Sequence, residues 1–281
     1  MTRTQLDLFE TKYDVIDQSV HPQFWAYHAG MADGDGSFKK TKSSIAYTLS
    51  LIDRNIVKEL SDLYNVKLCK AKKKKPKHNQ RYVVNLCGNN AKHFYKKVYP
   101  HLIEERDKVK EQAKATGLKL VRGSVSFNDK LCWLAGYFDA EGCASMQTNY
   151  DKKVDKYYFK FRIRFTSTEL KVNRYVKRML NAVFGRNSVK PVATLFKKTK
   201  WKDRPYNEKD CWDVNISQAA KVHLFSKVFL PVIKCKRKIK KFKRIIDYAK
   251  FCAHMKWTFG CWNFKTNNRM RNKWLTADAV E

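Results

Sequence analysis

Two acidic residues, each followed by a glycine at the end of an apolar stretch, could together bind a cation. They are Asp35, in the segment Trp25–Phe38, and Glu141, in the segment Cys132–Met146. Two carboxylates held close together are costly unless a cation lies between them. Carboxylate oxygens are also ligands that Mg²⁺ prefers. If the fold brings the two residues together, the sequence predicts a divalent metal site at Asp35 and Glu141.

Each of the two segments predicts a short helix with small residues one helical turn apart. These residues are Gly30 and Gly34 in the first helix, and Gly136 and Ala140 in the second. Positions four apart lie on one face of a helix, so a row of small residues lets a second backbone pack closely. Packing through the two rows would place both carboxylates side by side at the C-terminal ends. Gly34 and Ala140, which precede the acids, are counted with them in the predicted metal site.

The segments His28–Gly36 and Leu134–Gly142 resemble the nine-residue LAGLIDADG motif of the homing endonucleases. One match would be weak evidence, but two matches in one strongly basic chain are specific. The first copy departs from the motif at His28, in place of Leu, and at Gly34, in place of Ala. The second copy has Glu141 where the first has Asp35, which keeps the carboxylate on a longer side chain.

The resemblance implies metal-dependent hydrolysis of both strands of a long DNA duplex, with each motif carboxylate serving one strand. It implies Mg²⁺ as the cofactor, with Mn²⁺ able to substitute and Ca²⁺ supporting binding without cleavage. It also implies a basic residue near each metal, for which Lys92 and Lys221 are the candidates because each follows the last predicted strand of its half.

The composition favours a nucleic-acid partner. The chain has 281 residues, with 59 Lys and Arg against 26 Asp and Glu, giving a formal net charge of +33. Such an excess points to a polyanion. No apolar run is long enough to cross a bilayer, and the N-terminus lacks the apolar core of a signal peptide. We therefore expect an intracellular protein without membrane association, whose eight cysteines are reduced. Cys252, His254 and Cys261 lack a fourth ligand for a zinc site.

The order of predicted elements repeats. Tyr82–Val98 aligns with Trp212–Val228 at a constant offset of 130 residues, and each half is predicted to run αββαββα. The predicted fold class is α+β, with two pseudo-symmetric repeats that each form a four-stranded antiparallel sheet with helices on one face. The predicted organisation is an N-terminal extension (1–20), a first repeat (21–105), a linker (106–130), a second repeat (131–245) and a basic aromatic tail (246–281).

Two such sheets would form a basic saddle whose open strand faces follow the groove of a duplex. The candidates for reading bases on these faces are Ser37, Lys39, Thr41 and Ser43 in the first half, and Gln147, Asn149, Arg162 and Arg164 in the second. The candidates for holding phosphates lie in two lysine-rich loops: Lys72, Lys73, Lys74 and Lys75, then Lys197, Lys198 and Lys200.

The sequence thus predicts a monomeric, intron-encoded, site-specific homing endonuclease. The alternative is an RNA maturase, a protein of the same fold that binds intron RNA and assists splicing without cleaving DNA. The presence of both Asp35 and Glu141 favours the enzyme, since a maturase would not need both. The tail Cys252–Trp274 either docks on the second repeat or stacks on unpaired bases.

Overall fold

The structure, a computed structural model, describes residues 13–72, 79–104, 109–121, 123–151, 156–185, 193–197, 211–217 and 219–254. For residues 147–151, 156–160, 219, 220 and 248–254 it describes the backbone alone. Within these ranges, the longest helices are too polar to cross a membrane.

The first repeat has the predicted order of elements. A short helix α1, described over residues 13–19, precedes it. The repeat then comprises α2 (Pro22–Gly34), β1 (Gly36–Lys40), β2 (Ile45–Leu51), α3 (Arg54–Leu63), β3 (Cys69–Lys70), β4 (Tyr82–Cys87) and α4 (Gly88–Val98). Helix α4 ends where a turn leads into Pro100, which cannot continue the helical hydrogen bonding.

The second repeat has the same order after a short helix α5 (Lys110–Ala115). It comprises α6 (Phe127–Glu141), β5 (Gly142–Asp151), β6 (Lys156–Ser167), α7 (Leu170–Phe184), β7 (Thr194–Lys197), β8 (Trp212–Ile216) and α8 (Ala219–Phe229). A capping box begins α6, in which the Ser126 side chain accepts from the Asp129 N–H and the Asp129 carboxylate accepts from the Ser126 N–H. A further helix, α9 (Lys236–His254), contains the basic run of residues 237–244 and extends past residue 245.

Each repeat forms one four-stranded sheet in which all paired strands are antiparallel. The strand order is β1-β2-β4-β3 in the first sheet and β5-β6-β8-β7 in the second. Strands β4 and β8, which the offset of 130 residues relates, occupy the same place in the two sheets. The predicted α+β fold with two repeated antiparallel sheets is therefore confirmed.

Strand alternation decides which face of each sheet is buried. In β6, Phe161, Ile163 and Phe165 are buried, and the Phe165 ring packs against Tyr137 and Phe138 of α6. Arg162 and Arg164 lie between them in sequence and remain partly exposed. Because neighbouring side chains of a strand point to opposite faces, one face packs on the helices and the other is open and basic.

Candidate active site

Helices α2 and α6 pack together at the centre of the molecule through their rows of small residues. A Cβ atom on Gly30 would lie 2.0 Å from the Trp133 carbonyl oxygen, and a Cβ on Gly136 would lie 2.0 Å from the Tyr27 carbonyl oxygen. Both obstructions are backbone atoms, so no side-chain movement could relieve them. The predicted close packing of the two motif helices is confirmed, and it brings together the residues that end them.

The departure of the first motif at Gly34 also has a structural counterpart. A Cβ atom on Gly34 would lie 2.4 Å from the Cβ of Ala140. The alanine found in the motif at this position would therefore collide with its counterpart in the second helix. Glycine on one side of the contact lets the two helix ends stay close to each other.

The other departure, His28, is fully buried among aromatic rings and lies beside a charged pair that links the two repeats. Its Nε2 is 3.5 Å from Glu59 Oε2 of α3, and the same oxygen accepts from Lys234 Nζ at 2.5 Å. Burial lowers the pKa of His28. Lys234 follows α8 of the second repeat and its ammonium also lies over the Tyr27 ring. His28 and Glu59 thus form part of the contact between the repeats.

Two buried carboxylates hold the helix pair in register, and sequence reasoning did not identify them. Asp33 accepts from the N–H groups of Ile103 and Glu104, each at 2.8 Å, and from Trp133 Nε1 of the other repeat at 2.9 Å. Asp33 is a member of the first motif, and only its place in the fold shows that it bonds across the interface.

Asp139 is the counterpart of Asp33 in the second motif, at an offset of 106 residues. It accepts from the N–H groups of Lys234 and Cys235 and from Tyr27 Oη of the first repeat at 2.7 Å. Tyr27 and Trp133 are related by the same offset of 106 residues. Each motif therefore donates one aromatic hydrogen bond to the carboxylate of the other, and this shared offset is the signal from which the pair could have been found.

We predict that Trp133→Phe lowers the free energy of unfolding by about 1–3 kcal/mol, the usual cost of leaving a buried polar group without its donor. Tyr27→Phe should have a similar effect, because it removes the equivalent bond to Asp139. Urea denaturation of the two single variants and the double variant measures both costs. Wild-type stability in both single variants would show that these two hydrogen bonds do not stabilise the contact between the repeats.

Asp35 and Glu141 lie together at the C-terminal ends of α2 and α6. Asp35 is the C-terminal cap of α2, with its N–H donating to the Met31 carbonyl at 3.0 Å, and Glu141 is the last residue of α6. The Asp35 carboxylate is open to solvent but sits among enough protein that burial raises its pKa. The pKa of Glu141 is raised by burial and then by the charge of Asp35. Such a pair of carboxylates fits a divalent cation held between them.

A cleft of about 320 Å³ opens beside Glu141. Its lining is rich in carboxylates and hydroxyl groups: Asp33, Gly34, Gly36, Ser37, Glu104, Glu141, Thr166, Ser167, Thr168, Glu169 and Cys211. Mg²⁺ commonly binds through one or two carboxylates and takes water and substrate phosphate oxygens as its other ligands. Within the described residues, no group of three or more His, Cys, Asp or Glu side chains is arranged to hold a metal by itself.

Among the described residues, Lys238 of α9 is a cation that acts on both acids. Its charge lowers the pKa of Asp35 and of Glu141, while burial lowers its own pKa. Its Nζ donates to the carbonyl groups of Phe138, Asp139 and Ala140 at the C-terminal end of α6. The ammonium therefore caps the second motif helix and is held next to the acid that ends it. Arg81 and Arg237 also lower the pKa of Asp35.

Lys92 and Lys221, the basic residues expected near the metals, lie elsewhere. Strand β1 starts directly after Asp35 and runs away from it, β2 returns, and β4 again runs away, so α4 with Lys92 begins at the far end of the first sheet. Lys221 of α8 is engaged with a different helix end. Its Nζ donates to the Phe184 carbonyl at 2.7 Å and so caps α7. Lys238 escaped prediction because it belongs to a helix outside the resemblance.

We predict that Lys238→Met shifts the acid limb of the pH–activity profile to higher pH. The reason is that the Lys238 charge lowers the pKa of both carboxylates, so its loss leaves them protonated at a higher pH. Lys236→Met, on the same helix but exposed, is the control and should keep the wild-type profile. An unshifted acid limb in Lys238→Met would show that this ammonium does not act on the acids.

The structure describes some of the candidate DNA contacts. Ser37 lies in the cleft, Lys39 is exposed on β1, and Arg162 and Arg164 lie on the open face of the second sheet. Thr41 and Ser43 lie in the turn after β1 and not on the strand as expected, because Thr41 Oγ1 accepts from the Ser44 N–H and closes a turn. This local bond competes with strand extension.

The remaining candidates are described only in part. Gln147 and Asn149 are on β5, where they pair with Lys160 and Tyr158, and the structure describes their backbone alone. Lys197 is exposed on β7 with its Nζ over the Trp212 ring at 6.0 Å. Lys72 is described beside β3. The other loop candidates, Lys73, Lys74, Lys75, Lys198 and Lys200, lie outside the described residues.

Two repeats with paired acids at the ends of crossing motif helices define the class of fold, and comparison with known families agrees. Residues 128–228, which span most of the second repeat, match the model of the LAGLIDADG-like domain. The match contains the second motif, Leu134–Gly142, and confirms its resemblance to this family.

Solved structures similar to this chain are LAGLIDADG endonucleases of low sequence identity. The homing endonuclease I-GzeII in complex with its DNA target is 15% identical, with 84% of this chain and 92% of that chain covered and a TM-score of 0.49. I-LtrWI bound to target DNA is 10% identical, with 83% and 92% covered and a TM-score of 0.49. I-SmaMI bound to uncleaved DNA in the presence of calcium ions is 12% identical, with 84% and 92% covered and a TM-score of 0.45. A search of curated protein sequences gives no match.

Proposed function

We propose that this protein is a site-specific endonuclease that hydrolyses both strands of a long DNA duplex in a divalent-metal-dependent reaction. The observation that carries the proposal is the convergence of Asp35 and Glu141 at the ends of two helices whose backbones touch. An acid at a helix C-terminus opposes the helix dipole and needs a compensating cation. Both motif helices end in such an acid, and the two acids lie next to each other.

The open faces of the two sheets supply the DNA-binding surface. Arg162 and Arg164 alternate with buried residues on β6, and Lys39 is exposed on β1, which starts directly after Asp35. A duplex lying across both faces would therefore pass the two carboxylates at the junction of the sheets. Since one chain supplies both acids and both sheets, a monomer is sufficient for cleavage of both strands.

Asp35 and Glu141 would hold Mg²⁺, which supplies the Lewis acidity that activates water and stabilises the leaving oxygen. Both carboxylates must be ionised to do so, and Lys238 favours that state by its charge. Because its ammonium donates to three carbonyl groups of α6, Lys238 acts as a fixed charge and not as a proton donor.

A two-stage selection on randomised duplex DNA tests the proposal. Duplexes are first bound in Ca²⁺, recovered, and then exposed to Mg²⁺. We expect the bound pool to be cut at one defined position on each strand. A pool that is bound specifically but stays intact in Mg²⁺ and Mn²⁺ would overturn the endonuclease assignment. It would favour the RNA maturase of the same fold, which an intron-splicing assay then tests.

A further inference from the structure

A second cationic surface lies on the helix side of the second sheet, away from its open face. It is a groove of about 550 Å³ between α7 and the edge strand β7, lined by Leu170, Lys171, Arg174, Lys177, Arg178, Asn181 and Leu195. Of the seven lining residues that the structure describes, four are cations and none is acidic. We call this surface the α7 groove.

The four cations form one face of α7. Lys171, Arg174 and Arg178 follow one another at spacings of three and four residues, and all three are exposed. Neighbours at these spacings stand about 5–6 Å apart along a helix. From Lys171 to Arg178 the row is about 10 Å long at 1.5 Å per residue. Successive phosphates of one extended strand can meet such a row, each opposite one cation.

The opposite face of α7 shows why this row is not required for folding. Val172, Val176 and Leu180 are fully buried against the second sheet, and Asn173 Nδ2 donates to the Trp212 carbonyl at 2.6 Å. The helix is therefore anchored by the face opposite the cations. A concentration of like charges on the remaining face costs electrostatic repulsion, which an anionic ligand would relieve.

The floor of the groove indicates which kind of anion fits. Leu170 and Leu195 are half-buried and form its apolar part. In a duplex the faces of the bases are stacked inside, whereas an unpaired base exposes an apolar face next to its own phosphate. The apolar floor and the cationic rim of the groove together match a single nucleic-acid strand better than a duplex.

The α7 groove is also separate from the proposed duplex-binding surface. Helix α7 packs on β6, β7 and β8 from the side that Phe161, Ile163 and Phe165 face. Arg162 and Arg164 point to the other side of the same sheet. A duplex bound to the open face therefore leaves the α7 groove accessible, and both surfaces can be occupied at once.

We propose that the α7 groove is a second nucleic-acid site that binds single-stranded DNA. The choice of DNA over RNA rests on the proposed function, whereas the single-stranded character follows from the groove itself. Lys171, Arg174, Lys177 and Arg178 hold phosphates, and Leu170 and Leu195 contact an unpaired base.

Fluorescence anisotropy with a labelled oligothymidylate of about 12 nucleotides tests the site in the full chain. The variant removes three charges: Arg174→Gln, Lys177→Gln and Arg178→Gln. The matched control removes three exposed lysines from other helices: Lys227→Gln, Lys241→Gln and Lys243→Gln. Circular dichroism and thermal melting establish that both triple variants are folded, and duplex binding and cleavage are measured separately for each.

We expect the groove variant to bind the oligonucleotide at least about tenfold more weakly, and its salt dependence to fall by about two in log–log slope, at 0.7 per phosphate contact. The affinity of the control variant for the oligonucleotide should fall by about twofold or less, because nonspecific attraction depends on total charge. A saturating unlabelled duplex should leave the oligonucleotide bound. Equal losses in both variants, displacement by the duplex, or at least tenfold tighter binding of oligouridylate would each overturn the proposal. Since the readout is binding of a single strand, failure of duplex cleavage would not affect it.

Discussion

Gly136→Ala should destabilise this protein by about 3 kcal/mol or more, although it adds one methyl group and improves helix propensity. The added Cβ would lie 2.0 Å from the Tyr27 carbonyl oxygen and 3.2 Å from the Met31 backbone nitrogen. Backbone atoms of a packed helix cannot move alone, so α2 and α6 must separate along their whole contact. Urea denaturation or thermal melting measures the loss.

Gly123→Ala is the matched control for this substitution. Gly123 is exposed, and a Cβ there would meet nothing within 4 Å. The free energy of unfolding of Gly123→Ala should stay within about 0.5 kcal/mol of the wild-type value. Near-wild-type stability of Gly136→Ala would show that the two motif helices do not pack as closely as the structure places them. Separation of the helices would also move Glu141 away from Asp35, so activity should fall further than stability alone explains.

Asp35→Asn and Glu141→Gln should each reduce the rate of DNA cleavage by roughly a thousandfold or more, since each removes a charged ligand from a site whose metal contributes several kcal/mol to the barrier. Both substitutions keep the shape of the side chain. Binding of the selected duplex in Ca²⁺ should therefore stay within a few-fold of wild type, because the sheet faces that hold the DNA are unchanged. Single-turnover cleavage and duplex binding are measured on the same preparations.

The two variants also distinguish a shared site from two independent ones. If each acid worked alone on its own strand, Asp35→Asn would leave cleavage of one strand at the wild-type rate. The pKa of Glu141 is raised by the charge of Asp35, so the two acids influence each other. We therefore expect both strands to be slowed by either substitution, in contrast to the assignment of one carboxylate to each strand that the resemblance implies. Asp129→Asn, at the distant N-terminal end of α6, is the control for loss of one carboxylate.

The central part of the fold could be predicted from the sequence because local signals specify it. The small residues Gly30, Gly34, Gly136 and Ala140 have a helical spacing that only a close helix contact explains. Strand alternation, such as that of residues 161–166, fixes which side chains are buried as soon as one face is covered. Because the two repeats align at an offset of 130 residues, the helices and strands predicted for one repeat could also be predicted for the other.

What could not be predicted depends on contacts between distant parts of the chain. Lys238 reaches the acids from α9, which follows both repeats and carries no motif. The bonds from Trp133 to Asp33 and from Tyr27 to Asp139 cross between repeats, and no local pattern marks their donors. The position of Lys92 has the same origin: proximity to a strand end in sequence does not specify which end of the sheet faces the acids.

The most direct measurement of the central claim is calorimetric titration of Ca²⁺ into the complex of the protein with its selected duplex. The account holds that Asp35 and Glu141 together bind the divalent cation, so wild type should show saturable binding, and Asp35→Asn and Glu141→Gln should each weaken it by at least about tenfold. Asp129→Asn should titrate like wild type. Unchanged Ca²⁺ binding in both motif variants, with the duplex still bound, would contradict the assignment of these two carboxylates as the metal site.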